Sequence, residues 1–298
     1  MNNQKRTDLA LEAHELWRSA AKSESLPGVV TREHDDFGYR ATVVEITDSE
    51  GARALGKPMG TYITLDLHPY WTHAEDALER AAQAVGAELG ALLGGEGVRS
   101  ALVAGLGNRA MTPDAVGSEA VEHVLVTRHL RREKPFRALT PVSVLTPGVL
   151  GRTGMEALEL IRAAVRTVRP DAVIVIDALA ARSLERVCAT VQLSDTGIVP
   201  GSGVGNRRAA IDRAALGVPV IALGVPTVVD ARTLALDLLG MPGAARSLPP
   251  ALRRQDSGVM VTPRDIDAQI RELSRIVGYG VDLALQPLDY AALCALMG

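Results

Sequence analysis

The chain has 298 residues, 47% of them hydrophobic and 22% charged, with a formal net charge of -3. This is ordinary soluble globular make-up, long enough to bury a large core without disulfide staples. Its two cysteines, Cys188 and Cys294, exclude cysteine metal clusters and read as small buried hydrophobes in a reducing compartment. The near-neutral balance argues against a constitutive binder of DNA or acidic membranes, which would concentrate Lys and Arg.

Residues 1–15 are polar and charged where a secretory signal needs an apolar core. The most apolar tract, residues 218–229, is shorter than the roughly 20 residues of a membrane helix and carries Pro219, Gly224 and Pro226. A cytoplasmic protein is expected. The first thirty or so residues, one helix followed by Pro27-Gly28, look appended to the fold, as a removable or mobile arm would.

In chain order, β-branched runs predict strands over residues 41–46 and 61–67, and apolar spacing predicts a helix over 73–93. A strand over 101–106 leads into a helix over 113–126, and a strand over 142–146 into a helix over 155–168. Residues 172–176 form a strand followed by a helix over 178–187. The last strands, 218–223 and 258–261, precede helices over 231–239 and 263–277. Such alternation predicts an α/β fold: a three-layer α/β/α sandwich on a mostly parallel sheet. Ala172-Val173-Ile174-Val175-Ile176 is apolar on both faces and belongs at its centre. The basic stretch 128–137 and the loop 240–254 are the expected flexible surface segments.

Chemistry gathers at the strand ends. Gly105-Leu106-Gly107-Asn108 follows a strand, and Thr112-Pro113-Asp114 opens the next helix with Thr112 as its N-cap. Asp114 then either supports a helix start or faces a site. Gly105, Gly107 and Ala110 match a dinucleotide fingerprint loosely, but Pro113 starts the helix too late for a pyrophosphate. Asp177 ends a central strand, at the edge where open α/β sheets bind ligands; a carboxylate there is costly unless exposed, paired or protonated. Capping the next helix is its other reading.

Gly201, Gly203 and Gly205 alternate in a loop that either cradles a substrate or simply joins elements. Asp195-Thr196-Gly197 repeats the active-site triplet of pepsin-like proteases, but nothing else resembles that fold. Asp230 reads as a helix cap, and residues 146–155 as wall. His68 and His73 are the only close histidine pair, with no HExxH pattern, so no metal site is expected. Asp114 and Asp177, without a Ser–His pair or metal signature, point to acid–base chemistry. Placed close together, one stays protonated while the other activates water. Asp114, lowered by the helix N-terminus, is the expected anion and Asp177, held by its apolar strand, the expected acid, with the reverse assignment open.

Several blocks carry a family resemblance: residues 6–15 (Arg-Thr-Asp-Leu-Ala-Leu-Glu-Ala-His-Glu), 56–62 (Gly-Lys-Pro-Met-Gly-Thr-Tyr), 105–108, 125–129, 176–186, 194–206 and 224–230. Together they resemble the germination proteases of spore-forming bacteria over most of the chain. The resemblance implies an atypical aspartic endopeptidase that degrades small acid-soluble, DNA-protecting spore proteins. It implies a fold similar to the hydrogenase-maturation proteases, a homotetramer located in the spore core, and a zymogen that removes its own N-terminal segment.

The family's catalytic aspartates fall on Asp114 and Asp177. Arg182 and the loop Gly201, Gly203, Gly205 are expected substrate contacts. Only five residues precede Arg6 where the family carries a longer leader, so residues 1–8 would be a short propeptide cut near Asp8 and Leu9, with residues 9–298 a single peptidase domain. No cofactor, membrane or direct nucleic-acid partner is expected. Two alternatives stand: a noncatalytic nucleotide- or peptide-binding module, and a metal-sensing maturation protease of the same fold.

Overall fold

A computed structural model describes residues 7–21, 23, 25–68, 76–94, 98–206, 208–238 and 258–297. His73, the loop 240–254 and residues 1–6 of the expected propeptide lie outside these. The elements in order are α1 (Ala10–Ala21), β1 (Val29–Asp36), β2 (Tyr39–Ile46), α2 (Ser49–Leu55), β3 (Gly60–Asp66), α3 (Ala77–Leu92), β4 (Ala101–Gly105), α4 (Val116–Ala120), β5 (Val142–Leu145), α5 (Leu150–Thr153), α6 (Ala157–Val168) and β6 (Ala172–Ala181). Then follow β7 (Thr190–Ser194), α7 (Arg213–Leu216), β8 (Val220–Asp230), α8 (Ala231–Leu238), β9 (Met260–Val261), α9 (Ile266–Leu285) and α10 (Tyr290–Met297).

All strands join one sheet in the order β1-β2-β3-β7-β8-β6-β4-β5, with β9 also on β8. The half made by β8, β6, β4 and β5 is parallel, and the other half is an antiparallel meander. Alternating side chains of the central strands feed two cores, because successive residues of a strand face opposite ways. Ile174, Ile176 and Val103 pack with Val85, Leu89, Leu273 and Ile276 of α3 and α9. Val173, Val175, Leu102 and Ala104 pack with Ile161 of α6 and Leu216 of α7. A third cluster seats α1 and α2 on β2 through Ala10, Leu55, Val44 and Ile46. Helices thus cover both faces, the three-layer α/β arrangement expected. Cys188 is buried and free, and Cys294 is free and half-buried.

Three expectations are corrected. Residues 178–181 are strand, not helix: β6 runs on through Asp177 to Ala181, and only Leu184–Arg186 makes a 3-10 turn. The Ala-Leu-Ala-Ala composition favours helix, but β8 runs alongside to Asp230 and pairs with residues 177–181, with a register shift at Leu179/Ala180. The strand expected over 218–223 likewise runs on, to Asp230. The helix expected over 113–126 breaks into a 3-10 turn (Thr112–Asp114), the short α4 and a second 3-10 turn (Val121–His123). Asp230 does cap: its Oδ1 accepts the N–H groups of Arg232 and Thr233 at the start of α8.

Candidate active site

The site forms where the parallel strands end. β4 stops at Gly105, and the next N–H, that of Leu106, donates to Ile176 O at 2.8 Å, one residue before Asp177. Gly107 has φ +93°, and a Cβ there would lie 2.0 Å from the Asp114 carbonyl oxygen, so the chain turns tightly at a position only glycine fits. The turn carrying Asp114 is 3-10, preceded by Met111 rather than an N-capping Thr112, with no side-chain cap. Thr227 Oγ1 of β8 fastens it by donating to Pro113 O at 2.6 Å. α4 opens only at Val116, well past the glycines, which removes the dinucleotide geometry.

α4 lies directly on the sheet through Gly117, where a Cβ would come within 2.3 Å of Ile176 O and 2.6 Å of Leu106 O. Both obstacles are backbone, so Gly117→Ala must push α4 away. Overpacking of this kind costs about 1–3 kcal/mol. The expected result is a lower thermal unfolding midpoint by calorimetry, together with a displaced Asp114, whose turn leads into α4 through Ala115. A variant with the parent's midpoint would contradict this packing.

Asp114 and Asp177 are electrostatically joined. Asp177 is 5% exposed. Burial pushes its carboxyl well above the ordinary aspartate value, the charge of Asp114 adds to the rise, the Ala178 N–H opposes it, and Asp8 adds a further push. Asp114 is raised too, chiefly by burial, against the stabilising Asn108 N–H donated to its Oδ2 at 2.8 Å. A helix N-terminus was expected to lower Asp114. A single 3-10 turn supplies no such dipole, and desolvation wins. Asp114 nonetheless remains the better-stabilised anion of the two.

The N-terminal segment docks beside this pair. Asp8 N–H donates to Ala180 O at 3.0 Å, and its carboxylate accepts Ala180 N–H at 2.9 Å and the Ser202 hydroxyl at 2.6 Å. Gly203 makes room: a Cβ there would lie 2.1 Å from Asp8 Oδ2. Gly201 and Gly205, at φ +71° and +76°, bend the same loop around it. Leu9 is fully buried. Lys57 Nζ and Gln192 Nε2 both donate to the Asp8 carbonyl, at 2.8 and 3.1 Å.

Glu12, buried, accepts the N–H groups of Arg182 and Ser183 at 2.7 and 2.8 Å and the Thr7 hydroxyl, while Arg186 pairs with Glu12 and Glu15. The backbone of Arg182 therefore serves the N-terminal helix. Lys57, Gln192 and Ser202 were not singled out from sequence. Lys57 and Ser202 fall in two of the blocks that carry the resemblance; Gln192, a neutral amide inside a strand, left no signal. Among the described residues no group of three or more His, Cys, Asp or Glu is placed to hold a metal. Among them no helix is long and apolar enough to cross a membrane.

The germination protease family model matches residues 9–241. The germination protease of Clostridium perfringens is 41% identical, with 95% of each chain covered. That of Caldanaerobacter subterraneus is also 41% identical, over 95% of this chain and 94% of its own. The Geobacillus protein of the same name is 45% identical over 78% of this chain and 66% of its own. Among solved structures, the [NiFe] hydrogenase maturation protease HycI of Thermococcus kodakarensis is similar at 14% identity and a TM-score of 0.37, covering 65% of this chain and 98% of that one. At that distance it carries no argument. A match over this much of the chain, at this identity, settles the family: the protein belongs to the germination proteases and is a peptidase.

Proposed function

We propose that this protease is an endopeptidase that cleaves small acid-soluble, DNA-protecting spore proteins in the spore core as germination begins, by metal-independent hydrolysis on Asp114 and Asp177. The observation that carries the mechanism is the raised Asp177 carboxyl, held up by burial and by the neighbouring Asp114 charge. Two carboxylates in this relation share one proton. Asp114, with its Asn108 hydrogen bond, is the anion that takes a proton from water; Asp177 is the acid.

Water oxygen attacks the peptide carbonyl carbon, its proton passing to Asp114, and the carbonyl π pair moves onto oxygen. Collapse breaks the C–N bond as Asp177 gives its proton to the leaving nitrogen. One water is consumed, and a carboxylic acid and an amine leave.

The seat of Asp8 and Leu9 beside Asp177 supports removal of residues 1–8 as a short propeptide, so the docked segment occupies the cleft until it is cut. The active form is a homotetramer. Arg182 and the loop of Gly201, Gly203 and Gly205 border the same cleft and meet the substrate once the segment has gone.

The test is incubation of the purified chain with a small acid-soluble spore protein, with and without chelator, read by intact mass of both proteins. The expected result is cleavage at discrete bonds unchanged by chelator, and loss of residues 1–8 from the enzyme. Cleavage abolished by chelator would overturn metal independence. Active enzyme that still begins at Met1 would overturn the processing step.

A further inference from the structure

We propose that Lys57 and Gln192 are the carbonyl-polarising pair of this peptidase: they hold the oxygen of the peptide bond being cut and the negative charge that develops on it. The inference rests on the acid–base reading of Asp114 and Asp177 and adds two residues to it.

The geometry points there through the one peptide already seated in the cleft. The Asp8 carbonyl oxygen takes Lys57 Nζ at 2.8 Å and Gln192 Nε2 at 3.1 Å, so both of its lone pairs are engaged by side-chain donors. Nothing about a structural tether requires two donors on one carbonyl, one of them an ammonium. The Gln192 amide is oriented, because its Oε1 accepts the Ala10 N–H at 2.7 Å and leaves Nε2 toward Asp8. The same side chain thus reads the carbonyl on one side of the Asp8–Leu9 bond and an N–H beyond it on the other. Asp8 N–H on Ala180 O aligns this stretch with the end of β6.

Sheet register brings Gln192 to the level of the acid. Gln192 on β7 lies opposite Gly224 on β8, and Gly224 lies opposite Asp177 on β6. Gln192 and Asp177 are therefore two strands apart at one height, about 10 Å between backbones. Leu179 leans into the space over Gly224, where a Cβ would meet its Cδ1 at 2.3 Å.

Preorganised donors in a site closed to water stabilise a tetrahedral oxyanion without reorganising. In the step above, the π pair moving onto the carbonyl oxygen is received by the Lys57 ammonium and the Gln192 amide. That leaves the Asp177 proton for the leaving nitrogen. Burial lowers the Lys57 pKa from its ordinary 10.5, while the charges of Asp8 and Glu12 raise it. The ammonium form is the one that donates, so activity falls at a pH below the ordinary lysine value.

The test is steady-state cleavage of a small acid-soluble spore protein by the full chain, Lys57→Met, Lys57→Arg, Gln192→Glu and Asp177→Asn, with folding followed by circular dichroism. Gln192→Glu keeps the acceptor for Ala10 and loses the donor. Lys57→Met and Gln192→Glu are each expected to lose about 10²–10³ in kcat, with a smaller change in KM. Lys57→Arg recovers part of the rate and moves the alkaline limb of the kcat profile upward, a shift that a merely structural lysine would not produce.

Parental kcat in folded Gln192→Glu and in Lys57→Arg with an unmoved alkaline limb, beside an inactive Asp177→Asn, would overturn the pair and leave the aspartates standing. Full activity in Asp177→Asn, or none in a parent that has lost residues 1–8, would overturn the acid–base reading and the pair with it. If Lys57→Met fails to fold, the Arg and Glu variants decide.

Discussion

Asp177→Asn is expected to lower kcat by about 10²–10⁴-fold, the usual worth of a positioned general acid, while leaving the fold intact and no less stable at neutral pH. The two halves of this result come from one cause. The Asp177 carboxyl is buried and raised well above the ordinary range, so folding keeps a proton on it that an unfolded chain would release. That retention costs stability at neutral pH and, in the proposed mechanism, supplies the acid. Asparagine has the same shape, keeps an acceptor for the Ala178 N–H and never titrates, so it removes the acid and the cost together. Rates on a small acid-soluble spore protein, set beside thermal midpoints at pH 7, check both halves. An inactive but unfolded variant would contradict the second, and a folded variant of parental rate the first.

Raising the pH from about 5 to 8 is expected to destabilise the protein, and Asp282→Asn to remove part of that loss. Asp282 lies in α9, fully buried, with both carboxylate oxygens on the Leu125 N–H at 3.0 and 2.9 Å. Burial pushes its pKa from 3.8 to about 7, and the Leu125 hydrogen bond opposes the rise. Because the folded value lies above the unfolded one, the native state binds more protons between them. Its stabilising contribution is complete below about pH 3.8 and is lost as pH rises through about 7. At roughly 1.4 kcal/mol per pKa unit, the full separation corresponds to an order of 4 kcal/mol.

Asparagine keeps an acceptor for Leu125 and has no such dependence. The midpoints of parent and variant should therefore lie closest below about pH 4 and separate progressively, by several degrees at pH 8, the variant higher. Asp114 and Asp177 are raised as well, so some slope remains in the variant. Parallel midpoint curves would contradict the burial of an ionisable Asp282.

Much of this architecture is readable from residue pattern, and the exceptions have physical causes. Ala172-Val173-Ile174-Val175-Ile176 reads as a central strand because both its faces are apolar, which only a covered sheet tolerates. Its continuation does not, because Ala178-Leu179-Ala180-Ala181 is a helix former locally and becomes strand only through β8. β1 is illegible for the opposite reason: Arg32-Glu33-His34-Asp35-Asp36 is charged and mostly exposed, and is held by its ladder to β2 and by the contact of His34 with Glu88 of α3. At the site, Asp114 and Asp177 stand out as acids after apolar strands. The downward shift expected for Asp114 depended on a helix start that the structure replaces with a 3-10 turn. Lys57 and Gln192 acquire meaning only when residue 8 is folded back over residue 192, a contact spanning 184 positions.

The proposed chemistry requires Asp114 and Asp177 to titrate as one unit. The most direct measurement is a site-resolved carbon-13 carboxyl titration of the parent and of Asp114→Asn. Asp177 in the parent is expected to titrate well above 3.8, and to move down, though not to the ordinary value, once the Asp114 charge is gone. The remaining elevation is the share of burial. An Asp177 that titrates near 3.8 in the parent, or one indifferent to Asp114, would contradict the coupled pair and with it the assignment of acid and base.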